Sequence, residues 1–354
     1  MNPRLSKLRH KLLESQLDAL LVSQAENRRY LSGFAGSAGH LLISSDRAIL
    51  AVDFRYVEQA KAQAPDFEVV RIKGEPWDWL PGLASDLNVR RLGFEARDLP
   101  FALYRQLAEA LGQASLQFIP SEGLVEGLRA VKEPREVERI AEAVALADSA
   151  FQHILDYLRP GLKEHEVAWE LEKSLRERGS QAISFDIIVA SGPNAALPHA
   201  QPTERVIGPG EPIVFDLGAK IEGYCSDLSR TIYLGHQDSK YAKIYDAVLG
   251  AQLTAIATLE AGMSGDKADR LARTVIEEAG YGEAFGHGLG HGIGLAAHED
   301  PRLGPGASDI LEEGMVFTLE PGIYIPGWGG VRIEDVVVME KGRARVLSQA
   351  PKIF

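Results

Sequence analysis

Four acidic residues interrupt apolar, strand-like runs in the second half of this 354-residue chain. They are Asp216 in VFDLGAKIEG, Asp227 in YCSDLSRT, Glu320 in VFTLEPGIY and Glu334 in GVRIEDVVVM. Asp is disfavoured in strands, and a buried carboxylate is costly unless it is paired or coordinates a metal. Such a chain must fold so that these groups reach a shared counter-charge. His291, in the glycine-rich string FGHGLGHGIG, adds an imidazole. Four carboxylates carry −4 and two divalent cations carry +4, so the five residues can hold and neutralise a metal pair. Left unfilled, the carboxylates would repel one another or take up protons. A paired-metal site can make water a nucleophile at neutral pH.

The aspartates are eleven residues apart, with a turn signal at Glu222-Gly223 between them. A turn closing near Ile221 and Glu222 would set them face to face across a hairpin, with Cβ atoms about 5 Å apart. Metals in a paired site lie roughly 3.5–4 Å apart, so both carboxylates could share them. The alternative is a turn cap and a surface residue. Arg332 lies two residues before Glu334 and projects to the same strand face. It is either a supporting group for the acidic cluster or the partner of Glu334 in a simple ion pair. Oxygen-dominated ligation with one imidazole suits Mn²⁺, with Co²⁺ or Zn²⁺ also able to bind.

Three histidines, His287, His291 and His298, fall within twelve residues, among glycines that let the backbone come close to whatever His291 binds. The string fails the GxGxxG pattern, so it is not a dinucleotide fingerprint. His199, in LPHAQPTE, joins this set of candidates.

The net charge of −12 argues against a general nucleic-acid binder. Cys225 is the single cysteine, which excludes an intramolecular disulfide and suits a reducing compartment. The charged N-terminal MNPRLSKLRHKLLESQ lacks the apolar core of a signal peptide, and no run approaches a membrane span. A cytoplasmic protein is expected.

Leucines at helical spacing predict a helix over residues 4–17. Strand-like and helix-like segments then alternate, which reads as an α/β domain over residues 1–124. Gly123–Glu133 reads as a hinge. Residues 132–354 read as an α+β domain with helices at Arg135–Tyr157, Glu164–Glu177, Lys240–Leu259 and Lys267–Ala279. Its expected strands are Phe185–Ala190, Ile213–Leu217, Tyr224–Leu234, Met315–Tyr324, Val331–Met339 and Arg345–Leu347. The sequence shows no obvious internal repeat.

Taken in order, these motifs resemble the proline-directed metallopeptidases of the pita-bread fold, the aminopeptidase P and prolidase group. That group draws its ligands from D-x10-D, the second His of HGxGH, the Glu of an LEPG-type strand and the Glu of an R-x-E strand. All five are present here as Asp216, Asp227, His291, Glu320 and Glu334. NRRYLSGFAGSAGHLL followed by VDFRYVEQA resembles the creatinase-like N-terminal domain of that group, on its aminopeptidase-P-like branch.

The resemblance implies a dinuclear centre in which Asp216 holds one metal, Asp227 and Glu334 bridge, and His291 with Glu320 hold the other. It implies His199, His298 and Glu320 as catalytic residues, Glu320 as proton shuttle, and His199, His287, His298 and Arg332 as substrate-binding. The implied reaction is hydrolysis of an Xaa-Pro bond by an aminopeptidase P type enzyme, with an Xaa-Pro dipeptidase (prolidase) as the alternative. A homodimer is implied as well. Phe185 either lines a proline pocket or belongs to the core. Methionine aminopeptidase usually lacks the first domain, creatinase lacks the metals, and a non-catalytic scaffold would lose ligands. The complete set speaks against all three.

Overall fold

The computed structural model describes residues 2–236 and 238–352 of the chain. The chain divides into two compact units, Met1–Arg129 and Ala130–Phe354. The segment read as a hinge contains a short helix, Glu126–Ala130.

The first unit is built on a six-stranded sheet, in the order Glu68–Arg71, Ala48–Val52, His40–Ser44, Ala19–Val22, Arg91–Glu95, Gln117–Ser121. Ala19–Val22 pairs antiparallel with His40–Ser44 and parallel with Arg91–Glu95. It is buried on both faces, so its sequence ALLV shows no alternation. The predicted N-terminal helix runs Pro3–Glu14. The Asn2 side chain caps it by accepting from the Arg4 and Leu5 amides, and Leu5, Leu8 and Leu12 turn inward.

The four helices expected in the second unit are Pro134–Tyr157, Glu164–Glu177, Ser239–Thr258 and Gly265–Glu278. They form two pairs, and the second pair repeats the first almost bond for bond. Gly161 N–H donates to Ile207 O and Ile207 N–H to Leu162 O; Gly262 N–H donates to Leu311 O and Leu311 N–H to Met263 O. Likewise Glu164 and His165 donate to Arg205 and Thr203, as Gly265 and Asp266 donate to Asp309 and Ala307. The unit is therefore an internal duplication that the sequence conceals, because the halves share a backbone scheme and few residues. Glu164 stands where Gly265 stands in the other half. A Cβ on Gly265 would lie 2.0 Å from Arg302 O, so only glycine fits there.

Each half contributes a long hairpin that changes partners midway. In the first, Pro212–Leu217 pairs with Leu228–Tyr233, and Ala219–Ile221 pairs with Tyr224–Cys225. Glu222 and Gly223 both take positive φ, 46° and 84°, as a type I′ turn requires. In the second, the expected strands Met315–Tyr324 and Val331–Met339 are each broken. Val316–Leu319 pairs with Asp335–Glu340, while Gly322–Ile325 pairs with Gly329–Arg332 in a separate sheet. Glu320 and Glu334 therefore lie in the breaks and not within strands. Leu319 opposes Asp335 and Gly322 opposes Arg332, which leaves Glu320 and Glu334 opposite each other in the gap. Carboxylates are tolerated there because the ladder has already been interrupted.

Candidate metal centre

The first hairpin does not place its aspartates directly opposite each other. Asp216 opposes Ser229, because the turn closes at Glu222-Gly223, one residue later than the face-to-face arrangement needs. Asp227 is two residues from Ser229, so it is the diagonal neighbour of Asp216 on the same face, where side chains still reach one another. Gly218 faces Asp227, and a Cβ on it would lie 2.2 Å from Ser226 O.

The second hairpin and the histidine strand close the site. Ligand atoms of Asp227, His291 and Glu334 lie within 4.8 Å of one another. His291 Nε2 is 3.7 Å from Asp227 Oδ2 and 3.3 Å from Glu320 Oε1. The ring is aimed by its other nitrogen, Nδ1, 3.0 Å from Gly292 O. Thr318 Oγ1 accepts from the His291 amide and donates to Glu320 Oε1. The glycines flanking His291 serve strand packing and not approach to a ligand. A Cβ on Gly290 would lie 2.0 Å from Thr318 O, and one on Gly292 would lie 2.1 Å from Asp300 O.

Arg332 does not pair with Glu334. Its Nη2 meets Asp216 Oδ2 at 2.7 Å. Its other donors reach Ser229 Oγ, Pro198 O and Tyr324 Oη. His287 lines the same pocket, but both its nitrogens are engaged within the protein, Nδ1 with Gly288 O and Nε2 with Tyr324 Oη. The His298 ring packs on His291 at 4.2 Å between centroids. His199 is exposed at the pocket lining, and Phe185 lines the pocket half-buried.

The electrostatics follow from burial. Desolvation, then the charges of Glu334, Asp216 and Glu320, hold Asp227 well above the usual carboxylate range. Desolvation with Glu320 and Asp216 pushes Glu334 up to about 8. Burial works hardest against the charge of Glu320 too, but the hydrogen bond and charge of His291, together with the charges of His287 and Arg332, outweigh it and bring that group down to about 2. Burial and the neighbouring His291 lower His298, so it is neutral at pH 7. Asp216 Oδ1 and Glu334 Oε1 are sealed from water with no hydrogen-bond partner among the described residues. Orphaned buried carboxylate oxygens beside an imidazole nitrogen are the donor set of a divalent cation, and the residues fit the metal pair.

Several contributors were not legible in the sequence. Buried Gln252, inside a helix, donates its amide to both Leu319 O and Ile333 O at 3.1 Å, bridging the two strands just where they part beside Glu320 and Glu334. Tyr324 joins His287 to Arg332. Arg302 opposes His291 across an antiparallel pair and lines the same cavity of about 690 Å³. Its spacing from His291 carried no signal, because the β-bulge that sets it arises only in the folded sheet.

Two units, with buried acidic side chains and an imidazole gathered between the duplicated halves of the second, are the architecture of a pita-bread metallohydrolase. The chain belongs to metallopeptidase family M24: residues 138–341 match that family and residues 4–131 match the creatinase/prolidase N-terminal domain. Among solved structures it is similar to an Xaa-Pro dipeptidase from Bacillus anthracis, 45% identical with a TM-score of 0.96, covering 99% of this chain and 98% of that one. It is also similar to an X-Pro aminopeptidase from Thermotoga maritima, 38% identical with a TM-score of 0.87, covering 96% and 97%. A curated Xaa-Pro dipeptidase of Pyrococcus horikoshii is 35% identical over 99% of this chain and 98% of its own length. The protein is an enzyme, a metallopeptidase that uses divalent metal.

Proposed function

We propose that the chain is an Xaa-Pro dipeptidase, which reverses the order of preference taken from the sequence. The observation that carries this reading is Arg302. It is exposed in the pocket beside His291, and no hydrogen bond or ion pair of its guanidinium is found among the described residues. A guanidinium there suits the free carboxylate of a C-terminal proline, which a dipeptide presents next to the scissile bond. The relatives named Xaa-Pro dipeptidase support the same reading.

Asp216, Asp227, His291, Glu320 and Glu334 would hold the metals. Bound divalent metal supplies Lewis-acid activation of water and of the scissile carbonyl. The protein's own groups do the rest. Ionised Glu320 is placed to take a proton and deliver it to the leaving proline nitrogen. Neutral His298, with His199 on the same pocket lining, donates to the oxygen where negative charge develops. His287 acts through Tyr324 to hold Arg332, and Arg332 orients Asp216. Phe185 packs against the proline ring. The family resemblance supports Mn²⁺ and a homodimer, and the single cysteine supports a cytoplasmic setting.

The test compares an Xaa-Pro dipeptide with an Xaa-Pro-Pro tripeptide on Mn²⁺-loaded protein. The dipeptide should have the higher kcat/KM, and Arg302→Ala should raise KM for it about tenfold or more, with the tripeptide little affected. Faster cleavage of the tripeptide, indifferent to Arg302, would return the reading to an aminopeptidase.

A further inference from the structure

Glu164 is fully buried, and its carboxylate faces no catalytic group, yet it accepts hydrogen bonds from both ends of one loop. Oε1 accepts from Ser191 N at 2.7 Å and Ser191 Oγ at 2.8 Å. Oε2 accepts from Thr203 N at 3.0 Å and Thr203 Oγ1 at 2.6 Å. The Asn194 amide reaches both oxygens, at 3.1 and 3.0 Å. Arg205 adds a donor to Ser191 Oγ at 2.6 Å. A buried carboxylate is retained at a cost unless such donors satisfy it, and here every donor but Arg205, which acts through Ser191, comes to Glu164 from residues 191–203.

Those residues carry His199. The loop leaves the buried strand Ile188–Ser191, makes a single 3-10 turn at Gly192–Ala196 and returns at Thr203. His199 is exposed, and no hydrogen bond of its ring is found among the described residues, so the ring's place in the pocket is set by the backbone. That backbone is pinned at three points: at each end by Glu164, and in the middle by Arg332 Nη1 on Pro198 O at 3.0 Å. The same Arg332 is paired with Asp216. In the duplicated half the equivalent helix start is Gly265, which has no side chain to offer, so this tether belongs to the His199 half alone.

We infer that Glu164 is a positioning residue that sets His199 against the substrate by tying together the two ends of its loop. The inference rests on the Xaa-Pro hydrolase reading for its kinetic consequences, but the tether itself can be read without turnover. Glu164→Gln keeps the shape and exchanges one acceptor oxygen for an amide, which leaves donors facing donors. By hydrogen exchange, the Ser191 and Thr203 amides should exchange about tenfold faster in this variant, with His291–Leu303 unchanged and Mn²⁺ content retained. With an Xaa-Pro dipeptide, kcat/KM should fall about tenfold, and in a His199→Ala background the same substitution should cost less than about twofold. Thr203→Val, which removes one hydroxyl donor and keeps the carboxylate, should show the same pattern at about threefold and serves if Glu164→Gln does not fold. Equal losses in both backgrounds, or unchanged exchange at residues 191–203, would overturn the inference. Failure of the unmutated enzyme to cleave any Xaa-Pro peptide would sink the functional reading, while the exchange result would still decide the tether.

Discussion

Arg230 is the largest fully buried side chain among the described residues, and it stands directly behind a proposed metal ligand. Its Nη1 donates to the carbonyl oxygens of Ser229 and Glu334. Its Nη2 reaches Ala350 O and Asp335 Oδ1, each at 2.8 Å, and Nε reaches Ala350 O at 3.3 Å. Arg230→Met keeps the length of the stem and removes every donor. Breaking a buried ion pair costs about 3–5 kcal/mol, because one charge is left uncompensated. Lys352 Nζ remains 2.7 Å from Asp335 Oδ2, which holds the loss near the lower end, about 3 kcal/mol. For a unit of this size each 1 kcal/mol moves the midpoint by about 2–4 °C, so a fall of about 6–12 °C is expected. Calorimetry with and without Mn²⁺ reads it, the relevant transition being the one that added metal raises. Freeing the Glu334 backbone should also weaken Mn²⁺ binding about tenfold or more. A loss below about 1 kcal/mol with metal affinity unchanged would refute the reasoning.

Asp227→Ala should abolish turnover and lower the Mn²⁺ content measured by elemental analysis; near-normal activity would remove Asp227 from the cluster. His298→Ala should lower turnover about a hundredfold while leaving Mn²⁺ bound, and loss of metal would mean that the histidine roles are misassigned. In the first unit, burial and then the charge of Arg28 lower His40 to about 4, and its Nδ1 is sealed from water with no hydrogen-bond partner among the described residues. The folded ring is therefore preferentially neutral, and its stabilising contribution is present above about pH 6.5 and lost as pH falls through about 4, up to about 3 kcal/mol in all. His40→Phe should flatten that part of the acid-stability curve, and an unchanged curve would assign the loss to other groups.

Four of the five proposed ligands were legible because carboxylates stood out in apolar runs, His291 because it sits in a glycine-rich histidine string, and the helices because their caps and spacing are local. The strand breaks were not. VFTLEPGIY and GVRIEDVVVM read as continuous strands, and only their partners, two different sheets, decide that each is cut at its glutamate. The same limit hid the diagonal placement of Asp216 and Asp227, which turns on where one tight turn closes. It also hid Gln252, an unremarked polar residue on a helix until two strand carbonyls meet it. The duplication is not legible in the sequence because the hydrogen-bond scheme is shared while Glu164 and Gly265 are not.

On the proposed reading, acidic oxygens and one imidazole nitrogen from both halves grip a pair of cations. Anomalous diffraction from crystals grown with Mn²⁺ tests it most directly. Two manganese peaks about 3.5–4 Å apart, ringed by Asp216, Asp227, His291, Glu320 and Glu334, are the predicted result. Manganese seated elsewhere, or none bound at these five residues at saturating Mn²⁺, would contradict it.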